Sequence, residues 1–117
     1  MYSMKRILEP EIIDILNKDR FEGDVEGYVL SDGGDLFGWI LFRIDGKVTY
    51  LLDALAPRNV FLDGLIRAGA AYGEHCGAES FSLNGDIPRM KEYHDIFFRD
   101  EGEIISNDLL FAPCEDE

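Results

Sequence analysis

The spacing of apolar residues changes period several times along this chain, and each change marks an element. Glu9-Pro10-Glu11 opens a helical stretch, since proline is tolerated in a first helical turn and acids favour that end of the dipole. Ile12, Ile13, Ile15 and Leu16 supply an apolar face and Asn17-Lys18 stand near the stop, which predicts a helix over 10–19. Two turn signals follow. Ser31-Asp32-Gly33-Gly34-Asp35 separates an apolar run at 27–30 from one at 36–44, and Asp45-Gly46 separates the latter from 47–55. Asp-Gly suits a tight hairpin turn, where both central residues need positive φ, so a three-stranded antiparallel meander is predicted. In its middle strand Leu36, Gly38, Ile40, Phe42 and Ile44 share one face, and Phe37, Trp39, Leu41 and Arg43 the other. Both faces are mostly apolar, so helices are needed on each side. Trp39 and Tyr50 read as core.

Pro57 closes the third strand, and a helix over 59–76 follows, with Leu62, Leu65, Ile66, Gly69, Gly73 and Cys76 at three- and four-residue spacing. Gly64, Gly69 and Gly73 inside it each cost about 1 kcal/mol against alanine. Close approach of helix to sheet along the Gly69/Gly73 edge accounts for them, and Gly77 is a natural terminator. Beyond it the pattern predicts a strand at 79–83, a short helix at 87–94, and strands at 96–99 and 103–111 around Asp100-Glu101-Gly102. There is no repeat, linker or low-complexity stretch.

With 117 residues, the chain has the length of a single domain, placed at 1–112, with an acidic tail at 113–117. No run approaches the roughly 18 apolar residues a membrane helix needs. The N-terminus does not read as a signal peptide, so a cytoplasmic location is expected. Asp and Glu number 24 against 11 Lys and Arg, for a formal charge of −13. That sign opposes nucleic acid and anionic membrane. It suits a cationic small molecule or a basic protein, or serves solubility alone. Cys76 and Cys114 form no CxxC motif and read as reduced, non-catalytic thiols, Cys76 packing at a helix end. His75 and His94 lack metal-ligand spacing, and no metal is expected.

Strand, strand, strand, helix, strand, helix, strand, strand over 27–111, with Tyr93 five residues before Phe98, resembles the core of the GNAT N-acetyltransferase family. The resemblance implies an α+β, GNAT-like fold: a mixed, mainly antiparallel sheet with helices on both faces. Its third and fourth strands would run parallel and part to form a slot for acetyl-CoA. Family members read Asn, a spacer, then Leu-Tyr-x-x-x-Gly-Phe, with the tyrosine as general acid toward the departing thiolate. Tyr93 and Phe98 keep that spacing, while Phe97 replaces the glycine and Asp86 stands seven residues ahead of Tyr93. Read without the family, Tyr93 is equally half-buried packing.

By the same resemblance Leu55, Arg58, Asn59, Gly64 and Arg67 would meet the cofactor. Members carry Arg/Gln-x-x-Gly-x-Gly/Ala before the helix, whose backbone N–H groups cradle the pyrophosphate. The matching stretch, Asn59-Val60-Phe61-Leu62-Asp63-Gly64, keeps only the last glycine. Phe61 and Leu62 would crowd a phosphate there, and Asp63 would add an anion. The first 20 or so residues hold one helix where full members carry a strand and two helices.

Asp53 is the remaining candidate. With Asp45-Gly46 as a two-residue turn, Asp53 faces Gly38 across the ladder, on the face of Leu51, Leu55 and Ile40. A carboxylate beside a position without a side chain has open space next to it and suits a general base for an amine; a strand-end hydrogen bond is the other reading. Two functions follow. One is an N-acyltransferase moving an acetyl group from acetyl-CoA to an amine, with Asp53 as base and Tyr93 as acid. The other is a non-catalytic GNAT-like binding module, a homodimer because so few covering elements leave apolar surface bare.

Overall fold

The structure, a computed structural model, describes residues 2–111. Its elements run β1 (Tyr2–Arg6), α1 (Pro10–Asn17), β2 (Glu26–Asp32), β3 (Asp35–Asp45), β4 (Val48–Leu55), α2 (Asn59–His75), β5 (Ser80–Leu83), α3 (Pro88–Phe97), β6 (Ile105–Ser106) and α4 (Asn107–Phe111). The six strands form one sheet in sequence order. Every neighbouring pair is antiparallel except β4 and β5, which run parallel. The expected meander is β2–β3–β4, and the fold class is the mixed, mainly antiparallel α+β sheet anticipated above.

The core lies between the sheet and α2. Ile40, Phe42, Leu51 and Ala54 meet Leu62, Leu65, Ile66 and Ala70, and α3 adds Met90 and Tyr93. The glycine edge of α2 brings the helix close to the sheet. A methyl group on Gly69 would stand 3.0 Å from Leu51 Cδ2, and one on Gly73 would collide with Thr49. The opposite face, that of Leu41, is met by Ile7 and by α1. α1 is shorter than 10–19 because Lys18 and Asp19 take positive φ and turn the chain back. Ile12 and Ile15 of that helix stay exposed.

Several expectations fail for identifiable reasons. β1 was not anticipated: it is a five-residue edge strand with an alternating, half-polar pattern that pairs only with β2. The β3–β4 turn is formed by Gly46 and Lys47, since Asp45 pairs with Val48. The β2–β3 register skips Phe37, so Phe37 leaves the Trp39 face and packs on Tyr2 and Phe61, while Leu36 is exposed. Trp39 and Tyr50 are only half-buried. Residues 96–97 continue α3 because Phe97 stacks on Tyr93 one turn earlier, at 4.7 Å between ring centres; Phe98 then leaves the helix to pack on Phe81. Of 103–111 only Ile105–Ser106 pairs as a strand. Asn107 then bonds through its backbone to Glu79 O and through Nδ2 to Ala78 O, and a helical turn begins. Cys76 is exposed at the end of α2, not packed. Cys114 and the acidic tail at 113–117 lie outside the described residues.

Candidate functional site

Parallel pairing of β4 with β5 runs from Val48↔Ser80 to Leu51↔Leu83 and then stops. Asn84 fixes the stopping point: its backbone N–H donates to Leu51 O at 3.0 Å and its Nδ2 to Leu52 O at 2.9 Å. Beyond it β4 continues to Leu55, while the other chain turns away into α3 at Pro88. The strands therefore part, and a groove of about 970 Å³ opens between the free end of β4 and α3, with Trp39, Asp53 and Leu55 on one wall and Arg89, Glu92 and Ile96 on the other.

Asp53 reaches this groove by a route that alternation alone does not give. The β3–β4 ladder pairs Phe42 with Leu51 and Leu41 with Asp53, skipping Leu52. An extra residue of this kind reverses the faces beyond it. Asp53 therefore lies opposite Leu41, not Gly38, and away from the face of Ile40 and Leu51. The open space expected beside Gly38 is also absent, since a methyl group there would sit 3.0 Å from Leu55 O and 3.4 Å from Leu30 Cβ. Asp53 accepts a hydrogen bond from its neighbour's N–H, Ala54 N, at 2.7 Å, and pairs with Arg20 Nη1 at 2.8 Å. Arg20 is delivered by the turn after α1. Asn17, buried, grips Phe21 through both its amide atoms at 2.9 Å, and Arg20 Nε donates to Asn17 O at 3.0 Å. Asp53 is 14% exposed and Arg20 39%, so the carboxylate is anchored while still lining the groove.

Tyr93 lies elsewhere. Its ring is buried and its hydroxyl donates to Asp63 of α2. Burial, and then the bond to Asp63, push the phenol well above its ordinary value. Asp63 is shared with Arg67, whose Nε donates to both carboxylate oxygens at 3.0 and 3.2 Å and whose Nη1 donates to Leu110 O at 2.7 Å. Asp63 and Tyr93 border a second groove of about 450 Å³ between the first turn of α2 and the length of α3, where Asn59, Leu62 and Phe97 also line the wall. Tyr93 and Asp53 thus border different grooves, which share Arg89, Glu92 and Ile96.

Of the residues expected at the cofactor, Leu55 lines the first groove and Asn59 the second. Arg58 is exposed before the first turn of α2 and makes no side-chain cap. Gly64 faces Met4 of β1, and Arg67 is engaged with Asp63 and α4. Phe61, expected to crowd a phosphate, has its ring in contact with Tyr2 and Phe37 at 4.8 and 5.4 Å between centres. Asp63 is likewise occupied by Tyr93 and Arg67. Arg20, Asn84 and Arg89 were not singled out from the sequence, and only Asn84, an asparagine closing a strand before a Gly-Asp turn, carried a local signal.

No family model matches this sequence, and neither does any curated protein. Among solved structures the chain is similar to an acetyltransferase of Bacillus subtilis crystallised in complex with CoA. The identity is 15% and the TM-score 0.51, over 87% of this chain and 85% of that one. At that identity the likeness is one of fold: a GNAT-like, mixed and mainly antiparallel α+β sheet.

Proposed function

We propose that this chain is a GNAT-like N-acyltransferase that moves an acetyl group from acetyl-CoA to an amine in the groove where β4 and β5 part. The observation that carries this reading is the position of Asp53: a β-bulge turns it into that groove, and Arg20 holds it there at 2.8 Å. The acyl donor supplies a thioester carbonyl to an attacking nitrogen. The free edge of β4 beyond Leu51 would hold the donor's amide-bearing arm through backbone hydrogen bonds, with Leu55 beside it. Arg58 and Asn59, at the first turn of α2, are the residues nearest to hand for its phosphates. Asp53, held by its ion pair with Arg20, is the group placed to take a proton from an ammonium acceptor as that becomes a nucleophile. The acidic surface would attract that cationic acceptor, a small amine or a basic protein. Tyr93 keeps its proton at neutral pH but directs it at Asp63, so delivery to a leaving thiolate requires that bond to break.

The tie between Tyr93, Asp63 and Arg67 favours a second reading, a GNAT-like module that binds without catalysing. Calorimetry with millimolar acetyl-CoA, followed by a thiol-release assay over a panel of amines, decides between them. Heat of binding and amine-dependent thiol release are expected. Binding without release would leave the module, and no binding at all would remove the acyl donor from both.

A further inference from the structure

Among the described residues Arg89 has a guanidinium nitrogen, Nη1, that is sealed from solvent and meets no acceptor. The other arginines that reach inward are bonded: Arg6 to Glu26, Arg20 to Asp53, Arg43 to Glu22 O and Arg67 to Asp63. Arg89 sits in the first turn of α3 and lines both grooves. The α2/α3 groove that it lines is otherwise mostly apolar, with Val60, Leu62, Tyr93, Ile96 and Phe97 on its wall. Asp63 cannot serve it, being held by Tyr93 and Arg67, and exposed Glu92 forms no ion pair with it. A guanidinium in such a place is short of one acceptor, and buried donors are ordinarily satisfied.

The chemistry that completes this site is an oxyanion on an apolar stem. A carboxylate matches the planar guanidinium edge with one negative charge. A phosphate would bring up to two charges between Asp63 and Glu92, on a chain that already carries −13. We propose that the groove between α2 and α3 binds a small carboxylic acid, its carboxylate on Arg89 and its hydrocarbon stem along Val60, Ile96 and Phe97. The exposure of those three side chains, at 66%, 59% and 60%, leaves room for a stem to cover them. The proposal needs no thioester, although this groove shares Arg89, Glu92 and Ile96 with the first and Asn59 with the phosphate end of the proposed acyl donor.

The test is titration of the full chain with hexanoate, hexanol and hexyl phosphate, read by amide chemical shifts and calorimetry at neutral pH. Hexanoate is expected to bind at least about tenfold more tightly than hexanol, with shifts concentrated at 59–63 and 89–97. In Arg89→Gln the carboxylate should fall to the level of the alcohol, while the alcohol binds as before. Equal binding of hexanoate and hexanol to the unmodified protein would overturn the proposal without recourse to any variant. So would tighter binding of hexyl phosphate, an undiminished preference in Arg89→Gln, or no binding of hexanoate.

Discussion

A methyl carbon added to Gly73 would collide with Thr49 Oγ1 and lie 2.9 Å from Thr49 Cβ. Rotating the threonine relieves the first contact but not the second, because Cβ does not move with χ1. Thr49 is fully buried in β4 between β3 and β5, so relief requires α2 to lift from the sheet beside the strand that carries Asp53. Overpacking of this kind costs about 1–3 kcal/mol, and contact with a strand puts Gly73→Ala at the upper end. Alanine returns about 1 kcal/mol of helix propensity, leaving about 2 kcal/mol of net loss, or a fall in Tm of ~8 °C for a chain of this size. Gly64 is the internal control, in the same helix. A methyl group there meets only Met4 Cε, at 3.5 Å, so Gly64→Ala keeps the propensity gain and should be more stable by up to about 1 kcal/mol. Urea denaturation of both variants, with Thr49→Ala added to Gly73→Ala, measures the terms separately. The double variant should lose less than the sum of the single changes, because the hydroxyl clash is gone. If Gly73→Ala is as stable as the unmodified protein, or if both glycines respond alike, the close-approach argument is wrong.

Three further outcomes are expected. Because the fold raises the Tyr93 pKa above its ordinary 10.0, this group's contribution is fully present below about pH 10 and is lost as pH rises through the folded-state value. Tyr93→Phe should cost about 1–2 kcal/mol at neutral pH by removing the bond to Asp63, and it should flatten the alkaline decline in stability, which urea titrations from pH 7 to 11 would resolve. Asp53→Asn should lower amine acetylation by about a hundredfold or more while leaving acetyl-CoA affinity within about twofold; steady-state kinetics beside calorimetry checks both, and unchanged turnover would exclude Asp53 as the base. Finally, the −13 charge repels itself, so adding sodium chloride from low ionic strength to 0.5 M, at which the screening length is only a few ångströms, should raise Tm by a few degrees; a fall would mean that ion pairs such as Arg6–Glu26 outweigh the repulsion.

Local signals carried the scaffold a long way. The Asp-Gly turns, the helix after Pro57 and the small residues at Gly69 and Gly73 correctly foretold the meander, α2 and its close contact with the sheet. The parallel pairing of β4 and β5 was implied by the family resemblance, and the observed register agrees with it because a crossover helix between two neighbouring strands returns the chain in the same direction. The end of the chain was less legible. Ile104, Ile105, Leu109 and Leu110 look like a strand, but β5 pairs with only two residues before Asn107 turns the backbone.

What the sequence determined by itself was the set of elements whose periodicity and turn residues are local: the hairpins, the amphipathic helix and the acidic surface. Tertiary structure decided the candidate site. The bulge at Leu52 moves Asp53 to the other face through pairing with a neighbouring strand. Arg20 reaches it through a turn held by Asn17, and Asp63 draws both Tyr93 and Arg67. Each depends on a partner distant in the chain, or on a one-residue slip that inverts every side chain beyond it, and neither leaves a trace in local composition.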